Sequence, residues 1–251
     1  MSRINQAVEL GGQKPVVTVI IPCHNHADMV GEAIDSVFCQ DYQPLQIAVI
    51  DDGSNDNPEK VIQKKINENR EVPIYFFRNQ TAQGPSAARN KAIAEMFDKT
   101  DLFMMLDADD LYLKGKVCKS VEKYLEHPEH IGIVYTDAII ENIQKGTRIH
   151  EFRMPFDREE LERECIISNT PLISKDALAT VGGYDEDMRT CEDWDLWLRI
   201  TEYFTAVHIP ETLHIYHVTG KNSSETVPKE VWASNWEKIR QRILSRRKNV
   251  S

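Results

Sequence analysis

Short apolar runs alternate with helically spaced segments through the first hundred or so residues. Val16-Val17-Thr18-Val19-Ile20-Ile21 is continuously β-branched or apolar, with no polar face, as in a strand buried on both sides. It stops at Pro22-Cys23-His24-Asn25, after which Val30, Ala33, Ile34, Val37 and Phe38 recur at helical spacing. Gln46-Ile47-Ala48-Val49-Ile50 predicts a second strand, residues 58–69 a polar helix, and Pro73-Ile74-Tyr75-Phe76-Phe77 a third strand. Gly84-Pro85-Ser86 opens the next helix, with proline suited to its first turn. Ala88, Ala92 and Met96 share a face of that helix, with Ile93 and Phe97 beside it. A fourth strand, Phe103-Met104-Met105-Leu106, follows. Strand and helix alternating in this way predict an α/β fold with a mostly parallel, doubly wound sheet and helices on both faces.

The second half is less regular. The pattern predicts a helix near 114–126, a strand at 131–135, another near 143–150 and a charged helix at 157–164. Residues 171–181 read as a connection to the turn Gly182-Gly183-Tyr184. Trp194, Trp197, Leu198 and Thr201 mark a buried helical face, on which Asp195 and Arg199 are placed to pair across one turn. Short strands near 204–209 and 212–217 precede a C-terminal helix at about 228–247. The expected organisation is a flexible lead-in (1–14), one domain (15–222) with a regular first half (15–112) and a less regular second half (113–222), and a C-terminal helix with a basic tail (223–251).

Composition narrows the classes. At 251 residues, 41% hydrophobic and 28% charged, the chain has ample material for a core. A net charge of −10 argues against a surface built throughout to grip nucleic acid or anionic membrane. The five cysteines are scattered without a Cys-x-x-Cys pair, which fits a reducing compartment better than a disulfide or zinc framework. No run is long and apolar enough to span a bilayer, and the N-terminus lacks the apolar centre of a signal peptide. The expectation is a cytoplasmic protein. The tail from Lys238 to Lys248 is either a solvated basic face or a contact for an anionic acceptor or membrane surface.

Acidic residues supply the candidate chemistry. Strand four breaks off into Asp107-Ala108-Asp109-Asp110, three carboxylates within four residues. Like charges this close raise one another's pKa unless a cation compensates. The segment is therefore either a seat for a hard divalent cation or an aspartate-rich turn that caps the next helix. Asp51 and Asp52 end strand two, so both clusters belong at the carboxyl edge of the sheet, where open α/β sheets bind ligands. Glu192 and Asp193 form a third acidic site at a helix start. No glycine-rich phosphate loop follows strand one, which argues against a nicotinamide dehydrogenase or P-loop enzyme. A calcium loop starting at Asp107 would need Gly and Glu where Tyr112 and Cys118 stand.

Five segments then occur together in order: residues 18–25, Val49-Ile50-Asp51-Asp52-Gly53-Ser54, Gly84-Pro85-Ser86-Ala87-Ala88-Arg89-Asn90, Leu106-Asp107-Ala108-Asp109-Asp110 and residues 192–199. With this set the chain resembles a family 2 glycosyltransferase of the GT-A fold over roughly residues 16–220. The resemblance implies a nucleotide-diphospho-sugar donor, usually a UDP-sugar, bound Mn2+ or Mg2+, and inversion at the anomeric carbon. It places Pro22, Cys23, His24, Asn25, Asp51 and Asp52 at the nucleotide, with Asp51 accepting from a base N–H. Arg89 would lie near the base or diphosphate, with Ala108 also at the donor. Asp107 would contact the ribose or metal, Asp109 would be the principal metal ligand, and Asp193 the general base. Glu192, His217 and Asn169 are further candidates, and Asn169, Thr170 and the stretch from Tyr184 to Glu192 would wall the acceptor. His24 and His26 themselves read as structural or solvent-facing. Two departures stand out: His24 where an aromatic Tyr is commoner, and His217 and Thr219 where the family more often has Arg and His. The implied partners are the donor and a hydroxyl-bearing acceptor of unspecified type; a homodimer is a separate candidate assembly. The alternatives are a non-catalytic nucleotide-sugar-binding protein and a transferase acting on a modified nucleobase.

Overall fold

The structure is a computed structural model describing residues 13–69 and 71–250, with side chains through Arg246. Most of the predicted lead-in, and the side chains of Arg247 and Lys248, thus lie outside the described residues. Strands β1 (Val17–Cys23), β2 (Leu45–Asp52), β3 (Ile74–Asn79) and β4 (Leu102–Met105) form a parallel array in the order β3-β2-β1-β4. Helices α1 (Val30–Phe38), α2 (Pro58–Glu68) and α3 (Pro85–Met96) connect them.

The continuous apolar runs are explained by burial on both faces. Val19, Ile21, Ile47 and Val49 pack against Ile34, Val37 and Ile62 of α1 and α2. Ile20, Ala48 and Ile50 point the other way, onto Ala88, Ala92 and Met96 of α3. Alternate residues of one strand thus serve opposite cores, as the two-residue period of a strand requires.

The remaining elements are β5 (Leu111–Tyr112), α4 (Lys116–Tyr124), β6 (Ile131–Asn142), β7 (Thr147–Glu151), α5 (Arg158–Arg163), β8 (Leu172–Ser174), α6 (Lys175–Val181), α7 (Glu192–Ile200), β9 (Thr205–Val218), α8 (Ser223–Thr226) and α9 (Lys229–Val250). They extend the array into one nine-stranded sheet, β3-β2-β1-β4-β8-β6-β9-β5, with β7 on β6.

Beyond β4 the sheet is mixed. β8 runs antiparallel to both β4 and β6, whereas β6 and β9 are parallel. Leu172-Ile173-Ser174, read from sequence as a connection, is therefore a central strand, too short to show a period. Likewise, the two strands predicted near 204–217 are one. Register shifts against β6 around Thr136 and Asp137 absorb the Pro210-Glu211 interruption.

Helix α9 docks Ile239 and Ile243 into the second core beside Trp194 and Trp197. Its Arg242 reaches Asp185 and, at 2.7 Å, Asp195, and Arg246 pairs with Glu202 at 2.8 Å. These two arginines of the predicted basic tail turn inward, because buried or half-buried carboxylates await them. Among the described residues no helix is long and apolar enough to cross a membrane.

Candidate active site

The carboxyl ends of β1, β2 and β4 meet at one edge of the sheet. Burial pushes the Cys23 thiol up to about 12, and the charges of Asp51 and Asp109 add to the effect. Both acidic clusters therefore surround the end of β1, as the parallel array dictates. Cys23 itself points into the first core.

The β1 and β2 ends are knitted to each other. His24 Nδ1 contacts the Asp52 carbonyl at 2.7 Å, and Asn25 N–H donates to Ser54 Oγ at 3.0 Å. Gly53 permits this turn: its φ is +67°, and a Cβ there would lie 2.6 Å from Ala82 N. Asp51 is fully buried, with Oδ1 accepting from Ser54 N–H at 2.9 Å. Its Oδ2 has no hydrogen-bond partner, although Arg78 Nε stands 3.3 Å away. Asp52 is different. Its two oxygens accept from Asn79 Nδ2 (2.8 Å), Gln83 N–H (2.9 Å) and Gly84 N–H (2.8 Å), so it clamps the loop that starts α3.

After β4 the chain turns through the aspartate cluster, closed by Asp110 N–H donating to the Asp107 carbonyl at 3.0 Å. Asp107 Oδ1 accepts from Arg89 at 2.7 Å and Oδ2 from Asn169 Nδ2 at 3.1 Å. Asp110 is fully buried and accepts from the His217 N–H at 2.9 Å and from Asn169 at 3.2 Å. Asp109 Oδ2 accepts from Asn222 Nδ2 at 3.3 Å. The His217 ring donates through Nδ1 to the Asp109 carbonyl, which in the neutral ring leaves the Nε2 lone pair free. Burial and the charge of Asp107 raise the Asp109 carboxyl, and Asp110 is raised well above its ordinary range by burial and by Asp107 and Asp109.

Arg89, buried in α3, joins this cluster to the start of α7. It donates to Asp107, binds Glu192 Oε1 at 3.0 Å, and lies 3.9 Å from Asp193 Oδ1. Burial pushes the Asp193 carboxyl up to about 8, against the pull of Arg89 and with the charges of Glu192 and Asp107 adding. A carboxyl poised there exchanges protons near neutral pH.

Asp107, Glu192 and Asp193 thus gather around the guanidinium of Arg89, and Asp109 and Asp110 adjoin Asp107 in the same turn. This excess of negative charge, with carboxylate oxygens and one imidazole nitrogen at hand, fits a divalent cation. Among the described residues no three His, Cys, Asp or Glu side chains form a ready-made metal cage.

Of the residues singled out from sequence, Asp107, Arg89, Glu192, Asp193, Asn169 and His217 come together with Asp109. Ala108 is buried in the core side of the same turn. Pro22, His24, Asn25 and Asp51 line the neighbouring turn. Asn222, which holds Asp109, carried no signal in the sequence, because only the fold of the segment after β9 brings it there. Asp110 was legible as an acidic residue but not as the brace under His217.

Residues 18–178 match the glycosyl transferase family 2 model, and residues 152–241 a second, glycosyltransferase-like family 2 model. An uncharacterized glycosyltransferase of Haemophilus influenzae is 26% identical over 83% of this chain and 70% of its own. The chondroitin synthase of Pasteurella multocida is 26% identical over 84% of this chain but only 21% of its own. Among solved structures, the mannosyltransferase PcManGT of Pyrobaculum calidifontis, in complex with GDP-Man and Mn2+, superposes with a TM-score of 0.67 at 18% identity, covering 84% of this chain and 59% of that one. TarS of S. aureus in complex with UDP-GlcNAc gives 0.67 at 15% identity, covering 84% and 61%. The chain therefore spans about three fifths of each solved neighbour and a much smaller part of the synthase. The neighbours share the GT-A fold, and the family match covers well over half of the sequence: the chain belongs to glycosyl transferase family 2.

Proposed function

We propose that the chain transfers a sugar, with inversion, from a nucleotide-diphospho-sugar, most simply a UDP-sugar, to an acceptor hydroxyl. The observation that carries this reading is the reach of Arg89, which ties Asp107 of the turn after β4 to Glu192 and leaves Asp193 3.9 Å away. On this reading the donor's leaving group and the base for the acceptor would share one cluster.

The nucleotide base would sit at the β1 and β2 turns, where Asp51 Oδ2, which lacks a hydrogen-bond partner and lies 3.3 Å from Arg78 Nε, would accept a base N–H. Asp109, with Asp107 and His217, would hold Mn2+ or Mg2+, whose chemistry there is to neutralise charge on the departing diphosphate. Asp193 removes the proton as the acceptor oxygen bonds to the anomeric carbon. The bond from that carbon to the diphosphate oxygen breaks, and its electron pair leaves with the nucleoside diphosphate. TarS, bound to UDP-GlcNAc, and PcManGT, bound to GDP-Man and Mn2+, support the donor class.

The test is release of nucleoside diphosphate from a panel of UDP- and GDP-sugars with Mn2+ or Mg2+, with the product anomer read by NMR. Turnover of one donor, inverted product and loss of the metal response in Asp109→Asn are expected. A donor that binds without turnover under every condition would instead make the chain a sugar-nucleotide-binding protein.

A further inference from the structure

Tyr184 stands at the turn before α7 and is held more rigidly than a packing residue requires. Its backbone N–H donates to Asn90 Oδ1 at 2.8 Å, and its carbonyl accepts from Asn90 Nδ2 at 2.9 Å. The preceding Gly183 allows this clamp, since a Cβ there would lie 2.2 Å from Asn90 Oδ1. The ring lies under Arg89, 5.3 Å from the guanidinium carbon, and meets Trp197 edge-on at 6.4 Å.

Neither ring contact uses the hydroxyl. It is buried without a hydrogen-bond partner, and so is Asp193 Oδ1. Burial pushes the phenol well above its ordinary range, and Asp193 is first among the charges acting on it. The hydroxyl is therefore a permanent donor at neutral pH, and the two side chains flank the same guanidinium: the Tyr184 ring lies 5.3 Å from the Arg89 guanidinium carbon and Asp193 Oδ1 3.9 Å from its Nη1. The backbone of Tyr184 is held on both sides by Asn90, whereas the Asp193 side chain is 23% exposed. A phenylalanine would pack equally well and would spare the cost of burying an unpaired hydroxyl.

We propose that Tyr184 is a positioning residue for the transfer reaction: its hydroxyl donates to Asp193 Oδ1 as ligands bind, turning the other carboxylate oxygen toward the acceptor hydroxyl. This rests on Asp193 being the base. The bond forms as the carboxylate swings in, so it orients the base without contacting the donor.

The test is Tyr184→Phe beside Asp193→Asn, measured as nucleoside diphosphate release with Mn2+ and the turned-over donor. Melting temperature and affinity for the free nucleoside diphosphate are followed in parallel. Tyr184→Phe is expected to lower kcat about 10-fold, the worth of one hydrogen bond to a charged group. Donor KM and nucleotide affinity should stay within about two-fold, with the melting temperature unchanged or raised. A merely structural hydroxyl would give the reverse, a lower melting temperature with kcat intact, and that result overturns the proposal. If Asp193→Asn is strongly impaired while Tyr184→Phe turns over normally, this inference alone fails. If Asp193→Asn turns over normally, the assignment of the base fails and takes this one with it.

Discussion

At the end of β2, Asp52 has both carboxylate oxygens filled; at the start of α7, Asp193 keeps one without a hydrogen-bond partner. Asp52 spends both oxygens on Asn79, Gln83 and Gly84, and its work is to fix the loop that delivers Arg89. Asp193 keeps a buried oxygen without a partner, 3.9 Å from Arg89, beside a phenol in the same state. Residues of one chemical type thus do opposite work. A carboxylate satisfied by backbone N–H groups stabilises a loop, whereas one left short of donors is costly to the fold and available to chemistry.

Substitutions break this comparison in distinguishable ways. Asp193→Asn should lower kcat by about 10²–10⁴-fold while sparing donor affinity. Its stability should respond to pH in the opposite sense to activity. Because burial holds the folded carboxyl near 8, the folded state keeps a proton that the unfolded chain releases near the ordinary 3.8. Stability contributed by this group therefore falls as pH rises between those values, while the rate rises as the base deprotonates. Urea unfolding at pH 5 and pH 8 should show that slope in the parent and its reduction in Asp193→Asn. A variant as active as the parent would remove Asp193 from the chemistry.

Asp52→Ala should do the converse. Orphaning the donors of Asn79, Gln83 and Gly84 should cost about 3 kcal/mol of stability by urea unfolding, with turnover lost only as far as the loop loosens. Equal stability with selective loss of nucleotide binding would show that Asp52 is a ligand contact after all.

Lys116 sharpens the contrast away from the site. Its amine is fully buried under β6 and β9, with Thr136 Oγ1 at 2.8 Å and the Tyr112 ring 5.9 Å away. Desolvation lowers it to about 7. Between there and the ordinary 10.5 the unfolded chain binds the extra proton, so this group makes stability rise with pH. Lys116→Met should stabilise the fold by about 2 kcal/mol at pH 6, the scale on which apolar residues replace buried charge. The gain should shrink toward pH 10, as thermal melts at both values would report. A loss at pH 6 would mean that the amine's contact with Thr136 outweighs its burial.

The strands and helices through β4 were legible because their signals are local. A run buried on both faces has no polar positions, and an amphipathic helix repeats every three to four residues. Asp51, Arg89, Asp107, Asp109 and Asp193 were legible as candidates because each sits in a short motif at an end of such an element. β8 was not, since three residues carry no period and its partners lie in β4 and β6. Nor was the inward turn of Arg242, whose partners Asp185 and Asp195 lie 57 and 47 residues away.

By itself the sequence determined where carboxylates cluster and which strands carry them to a common edge. Which carboxylate is filled, which is braced and which is left open was decided only in three dimensions. Asp52 is satisfied by residues 27 to 32 positions downstream, and Asp109 is held by Asn222 across 113. Hydrogen bonds are short and directional, so the state of a buried oxygen depends on what the tertiary fold brings within about 3 Å of it.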